Sequence, residues 1–112
     1  MSDLFAGIPV KDYETALAWY EKLFGRSPAF HPHDTEAVWE LAEHRYIYIV
    51  QKPEHAGHAM LTYMVDDLKS LIDEISGRGL EPDNSENYPN NICKITYRDP
   101  DGNEIGFGGA WF

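Results

Sequence analysis

The sequence predicts an α+β fold built from two tandem copies of one βαβββ module, within a single domain of 112 residues. Two segments carry apolar side chains at helical spacing. Each follows a short strand-like run and precedes three further strand-like segments. This order occurs twice, so we assign residues 3–52 to the first module and residues 59–109 to the second.

The first module begins with the apolar run Leu4–Val10, which predicts a strand. Asp12 can then accept hydrogen bonds from the free N–H groups of a first helical turn, and Gly25 marks the expected helix end. Apolar residues recur at helical spacing between them: Tyr13, Ala16, Leu17, Tyr20 and Phe24. Three predicted strands follow, at residues 27–31, 35–42 and 46–52.

The second module repeats this plan, with a predicted strand at Met60–Val65, a helix capped by Asp67 and a helix end at Gly77 to Gly79. Residues 84–91 form a turn-rich stretch around a short strand. Residues 92–98 and 103–108 are the last two predicted strands, and the turn Asp99–Gly102 joins them.

One register aligns the two predicted helices. Placing Val10 on Val65 superimposes the capping aspartates and four inward positions. The aligned positions are Tyr13, Ala16, Leu17 and Tyr20 on Leu68, Leu71, Ile72 and Ile75. The shared flanking order makes an internal repeat a better explanation than two unrelated amphipathic helices.

Charge and cysteine content restrict the possible partners and the compartment. The formal net charge of −10 repels phosphate backbones and anionic lipid, so we expect no nucleic-acid partner and no membrane partner. Cys93 is the only cysteine, so no intramolecular disulfide can form, and we expect it to be a buried small hydrophobe. The N-terminal residues lack the pattern of a signal peptide. We therefore expect a cytoplasmic protein.

Three segments resemble the vicinal oxygen chelate superfamily, which includes glyoxalase I, extradiol dioxygenases and bleomycin-resistance proteins. They are Leu4–Asp12, Ala18–Gly25 and Arg98–Ile105. The most specific elements are the aromatic–Tyr helix that ends in Leu-x-Gly and the late Asp-Pro-Asp-Gly-Asn turn. The resemblance implies curved mixed sheets with the helices on their convex side.

Metal-dependent members of that superfamily hold one divalent ion with His and Glu side chains on the concave sheet faces. The resemblance places the four ligand positions on Phe5, Tyr48 or an immediate neighbour, Met60 and Gly106. None of these residues offers the imidazole or carboxylate that such ions prefer. We therefore expect no metal and no other cofactor, with Glu104 as a residual candidate one pleat away from Gly106.

The histidines offer a different metal site as an alternative. His31 and His33 lie close to Asp34, but Pro32 between them is expected to interrupt a strand. The other three histidines lie in predicted turns or the linker: His44, His55 and His58. Surface histidines are the simpler interpretation, because the spacing matches no known ligand motif.

The residues expected to line the concave face form an aromatic pocket with hydroxyl groups. Strand alternation places Tyr46 beside Tyr48 and Thr62 beside Met60. The third strand contributes either Trp39 or Glu40, and its orientation stays open at this point. The predicted ligand-binding set is Phe5, Trp39, Glu40, Tyr46, Tyr48, Met60, Thr62 and Gly106.

Two functions follow from this pocket and the resemblance. The first is a metal-independent protein that sequesters a small aromatic compound, with a cationic group as an option, as bleomycin-resistance proteins do. The second is a superfamily enzyme of lyase, isomerase, transferase or dioxygenase type with a relocated site, in which Glu40, Glu104 or a histidine is the base. In both cases we expect a homodimer, because open strand edges and aromatic surfaces are seldom left exposed. The terminal Trp111 and Phe112 support this expectation.

Overall fold

A computed structural model of the chain describes residues 2–111. The first half contains β1 (Leu4–Val10), α1 (Tyr13–Phe24), β2 (Phe30–His33), β3 (Glu36–Ala42) and β4 (Arg45–Gln51). The second half contains β5 (Met60–Met64), α2 (Leu68–Gly77), β6 (Asn84–Tyr88), β7 (Ile92–Arg98) and β8 (Glu104–Ala110). Short 3₁₀ turns at Pro53–His55 and Pro89–Asn91 precede β5 and β7.

The strands form two four-stranded mixed sheets with the same topology. Sheet 1 has the order β1-β4-β3-β2, and sheet 2 has the order β5-β8-β7-β6. In each sheet the first and last strands of the module pair in parallel, and the other neighbours are antiparallel. The predicted α+β fold with two βαβββ modules is therefore confirmed.

The two helices begin in different ways. Asp67 caps α2 as predicted, since its carboxylate accepts a hydrogen bond from the Ser70 backbone N–H at 3.2 Å. The Asp12 carboxylate instead accepts from the Thr15 hydroxyl and makes no side-chain bond to a backbone N–H, so this part of the prediction is wrong. The Gln51 side chain caps the start of α1 instead, because its Oε1 accepts a hydrogen bond from the Tyr13 backbone N–H at 2.9 Å. Gly25 ends α1 in the left-handed conformation, as expected.

The second strand differs from the prediction in position and in the role of proline. It spans Phe30–His33 rather than residues 27–31, and Pro32 lies inside it. β2 is an edge strand of sheet 1, so one of its sides has no neighbouring strand. An edge strand tolerates a proline, because no hydrogen bond to a further strand is lost on that side. The register between β2 and β3 is irregular, which fits this interruption.

Both sheets contribute their helix-facing side to one hydrophobic core. In sheet 1 the even residues of β1 and the odd residues of β3 and β4 point inward, and in sheet 2 the odd residues do so. The fully buried large side chains include Ile8, Tyr20, Trp39, Ile49, Leu68, Ile75, Tyr97 and Ile105. Because this shared core uses one side of each sheet, the opposite sides face outward.

A buried polar network at the turn after β7 joins the two modules. Asp99 accepts hydrogen bonds from the Tyr20 hydroxyl at 2.8 Å and from the Asn103 side-chain amide at 2.8 Å. The same amide donates to the Pro9 carbonyl oxygen, while Asn103 Oδ1 accepts from the backbone N–H groups of Gly57 and Ala59. Burial and the negative charge of Asp99 raise the pKa of Tyr20, so its hydroxyl remains the donor. This network fixes the first module against the second.

None of the helices in residues 2–111 has the length and apolar character that crossing a membrane requires. Cys93 is buried, as expected, and lies 3.1 Å from the Asn87 side-chain oxygen. Trp111 is 38% exposed, and Phe112 lies outside the described residues.

Candidate functional site

Each sheet has an outer face, which we define as the side opposite its helix. The outer face of sheet 1 presents odd residues of β1 and even residues of β3 and β4, because strand residues alternate between sides. It carries Phe5, Glu40, Tyr46 and Tyr48. The outer face of sheet 2 carries Met60, Thr62, Lys94, Thr96, Glu104 and Gly106.

A stacked aromatic pair dominates the outer face of sheet 1. Phe5 and Tyr46 are direct partners across the β1–β4 ladder, and their ring centroids lie 4.4 Å apart with an interplanar angle of 8°. Phe5 remains 47% exposed. The stack therefore presents a wide apolar surface to solvent, which a planar molecule can cover.

Glu40 lies beside this stack, directly across the β3–β4 ladder from Tyr46. Partial burial and the negative charge of Glu40 raise the pKa of the Tyr46 hydroxyl. The hydroxyl therefore stays protonated at neutral pH and can donate a hydrogen bond. An aromatic surface and a carboxylate are thus available side by side.

Tyr48 extends the aromatic surface along β4 and over Gly7. A Cβ atom at position 7 would come within 2.5 Å of the Tyr48 ring, so the ring lies almost on the backbone of β1. A larger residue at position 7 would displace it. Gly7 was not among the predicted site residues. It lies two residues after Phe5 on β1 and therefore on the same side of the strand, which was the available signal.

Trp39 is not part of this outer face, so its place in the predicted ligand-binding set is wrong. The odd residues of β3 face α1, and Trp39 is fully buried against Tyr20 and Phe24, with ring centroids 6.2 and 5.4 Å away. Its indole N–H donates to the Arg26 carbonyl oxygen at 3.0 Å. The alternation that buries Trp39 places Glu40 on the outer face.

The outer face of sheet 2 contains a small cavity of about 130 Å³. Met60, Thr62 and Gly106 line it, as do Lys94, Thr96 and Glu104. Lys94 and Thr96 were not predicted as site residues from the sequence. Both are even-numbered residues of β7, and Thr96 pairs with Gly106 on β8, so strand alternation would have placed them on the same side of the sheet. An Arg98 guanidinium nitrogen lies 4.0 Å from a Glu104 carboxylate oxygen.

A groove of about 170 Å³ lies between the two modules, and residues of both outer faces line it. Tyr46 from sheet 1 and Thr62 from sheet 2 contribute to its lining. The remaining walls are mainly apolar, with Leu4, Ala6, Leu41, Ile47, Leu61 and Tyr63 among them.

The histidines do not gather at either outer face. His31, His55 and His58 are exposed, and His33 is a surface residue 3.8 Å from Glu36. His44 Nδ1 lies 2.6 Å from an Asp3 carboxylate oxygen at the β3–β4 turn. In the part of the chain that the structure describes, no three His, Cys, Asp or Glu side chains lie close enough together to hold a metal ion.

Comparison with known proteins identifies the family. The model of the glyoxalase/bleomycin resistance protein/dioxygenase superfamily matches residues 4–107. The chain belongs to this superfamily. No match to a protein with a curated description was found.

Several solved structures of the superfamily fold are similar to this chain. A glyoxalase/bleomycin resistance protein from Catenulispora acidiphila is 52% identical, with a TM-score of 0.95 over 99% of this chain and 100% of that one. A bleomycin-binding protein in complex with bleomycin is 16% identical, with a TM-score of 0.77 over 99% and 100% of the two chains. A lactoylglutathione lyase from Agrobacterium tumefaciens is 17% identical, with a TM-score of 0.73 over 96% and 92%. The latter two similarities concern the fold alone.

The donor chemistry of the four positions assigned to superfamily metal ligands does not fit a divalent ion. Phe5, Tyr48, Met60 and Gly106 supply a phenyl ring, a phenol, a thioether and no side chain. Glu104 lies directly across the β5–β8 ladder from Met60, and it approaches Arg98 instead of other candidate ligands. These four positions therefore supply no ligand set for a metal-assisted step.

Proposed function

We propose that this superfamily member is a metal-independent binding protein that sequesters a small planar aromatic compound. The observation that carries the proposal is the exposed stack of Phe5 on Tyr46. Large aromatic surfaces that stay open to water are typical of binding sites. A ligand ring that extends this stack would bury apolar area on a rigid, preformed surface, so little ordering of the protein would oppose binding.

A positive charge on the ligand would strengthen binding at this face. The aromatic rings attract a cation by about 0.5–2 kcal/mol, with the larger value for a desolvated site. Glu40 adds a negative charge next to Tyr46, and the net charge of −10 favours the approach of cations at low salt. The ligand class that fits best is an aromatic cation.

Both outer faces are open to solvent in the single chain, so we include a two-fold homodimer in the proposal. Met60 and Met64 on sheet 2 are 73% and 60% exposed, and Phe5 and Phe30 on sheet 1 are about half exposed. Placing sheet 1 of one subunit against sheet 2 of the other would bury both apolar surfaces and enclose two equivalent cups. The bleomycin complex of the structural neighbour supports a role in binding small molecules.

Proflavine, a planar aromatic cation, tests the proposal in calorimetric titrations of the purified protein. We expect saturable binding that survives dialysis against EDTA and weakens as salt is added. Tyr46→Ala and Tyr48→Ala should each weaken binding by about 1–3 kcal/mol, the range for losing an aromatic anchor. Trp19→Leu, on the helix at the opposite side of sheet 1, is the matched control and should retain wild-type affinity. Non-saturable binding, or loss of binding with EDTA, would contradict the proposal.

A further inference from the structure

The cavity on the outer face of sheet 2 differs in chemistry from the aromatic face of sheet 1. Its polar lining consists of Lys94, Thr62, Thr96 and Glu104. Drug-sized ligands usually occupy pockets of about 300–1,000 Å³, whereas this cavity measures about 130 Å³. It can therefore accept one end group of a ligand and not a whole ring system.

Glycine at position 106 shapes this cavity by leaving room for the Lys94 stem. A Cβ atom at Gly106 would lie only 2.8 Å from Lys94 Cε and 3.3 Å from Thr62 Oγ1. The lysine stem and the threonine hydroxyl therefore flank the same point on the cavity floor. Thr96, which is 3% exposed, is the direct partner of Gly106 across the β7–β8 ladder.

Lys94 is the cationic side chain among the residues that line the cavity, and its charge is not paired with a carboxylate of the described residues. The ion pairs within 4.0 Å among residues 2–111 do not include Lys94. Glu104 approaches Arg98 at 4.0 Å, and Glu86, which faces Lys94 across the β6–β7 ladder, accepts a hydrogen bond from the Tyr88 hydroxyl at 3.0 Å. Neither acidic neighbour forms an ion pair with Lys94 within 4.0 Å, so the ammonium group is free to bind a ligand.

We infer that this cavity binds an anionic end group of the ligand, namely a carboxylate, sulfonate or phosphate, through the Lys94 ammonium and the Thr62 and Thr96 hydroxyls. A charge-assisted bond to an ammonium group is stronger than a neutral hydrogen bond, and hydroxyls can donate to the remaining oxygens. The inference rests on the proposed function, because it describes a second part of the same ligand, which then combines a cationic aromatic ring system with an anionic end group. In the proposed dimer, that ligand spans the aromatic face of one subunit and the cavity of the other.

Two dyes with the same ring system test the inference. Anilinonaphthalene sulfonate carries the anionic group, and N-phenylnaphthylamine lacks it; both are followed by their fluorescence on titration into the full-length protein. We expect Lys94→Met to weaken sulfonate binding by about tenfold or more, the scale of a lost bond to a charged group, and to change binding of the neutral dye by less than about twofold. Lys94→Arg should restore most of the sulfonate affinity.

Lys69→Met is the matched control, because Lys69 is an exposed lysine on α2 and its removal changes the net charge equally. It should leave sulfonate binding unchanged. Equal losses of sulfonate affinity in both lysine variants, or no loss with Lys94→Met, would overturn the inference. The proposed function would still stand in that case if proflavine bound the protein saturably. If neither naphthalene dye nor proflavine bound the wild-type protein, the proposed function and the inference would both fail.

Discussion

The hydroxyl of Tyr97 is buried in the core without a hydrogen-bond partner among residues 2–111. Its ring packs edge-on against Phe107, with centroids 6.0 Å apart. Desolvation and the charge of Glu81 raise the pKa of Tyr97 to about 12, although Arg78 acts in the opposite direction. An unsatisfied buried hydroxyl costs stability, so here the polar atom opposes folding.

Tyr97→Phe should therefore leave the free energy of unfolding at pH 7 unchanged or raise it by up to about 1 kcal/mol. The unfolded chain ionises this tyrosine near pH 10, whereas the folded chain retains the proton to about pH 12. Ionisation of Tyr97 therefore costs no stability below about pH 10, and it favours the unfolded chain increasingly as the pH rises toward 12. Urea denaturation at pH 8, 10 and 11 should show a smaller alkaline loss of stability for Tyr97→Phe than for the wild type. Equal losses would argue against this assignment.

At the scale of elements, the end of α2 shows how two nearby glycines serve different purposes. Gly77 is the last residue of α2, and Gly79 follows in the left-handed region with φ of +95°. A Cβ atom at either position would meet nothing within 4 Å. Backbone conformation is therefore the only structural difference that a substitution to alanine would probe.

Gly77→Ala should stabilise the protein by about 0.5–1 kcal/mol, because alanine favours the helix and restricts the unfolded chain. Gly79→Ala should destabilise it by about 1–2 kcal/mol, because an alanine at positive φ is strained. Thermal denaturation of the two variants alongside the wild type measures both effects. A shift of the same sign in both variants would contradict the structural distinction.

At the scale of the whole molecule, each sheet buries one face in the shared core, so one chain leaves both outer faces exposed. The proposed dimer resolves this exposure. Light scattering after size exclusion should give twice the chain mass of 12.8 kDa at micromolar concentration. A monomer would mean that each outer face acts alone and that the cup is not shared.

Mixing two defective variants tests whether the cups are shared between subunits. Tyr46→Ala damages the first module, and Lys94→Met damages the second, so each homodimer has two impaired cups. After exchange, about half of the dimers are mixed, and each mixed dimer contains one cup free of both substitutions. About a quarter of the cups should regain tight binding of anilinonaphthalene sulfonate. No recovery after confirmed exchange would show that each cup belongs to a single chain.

Local sequence determined the helices, most strands and the repeat, because helical spacing, the Asp67 cap and the Gly25 helix end act over a few neighbouring residues. Only the tertiary structure decided which side of each strand is covered by a helix. That choice buried Trp39, exposed Glu40 and brought Lys94 over Gly106. Pro32 likewise fits a strand only because β2 has no neighbour on its outer side. Alternation along a strand gives two equivalent faces, and only packing against distant residues distinguishes them.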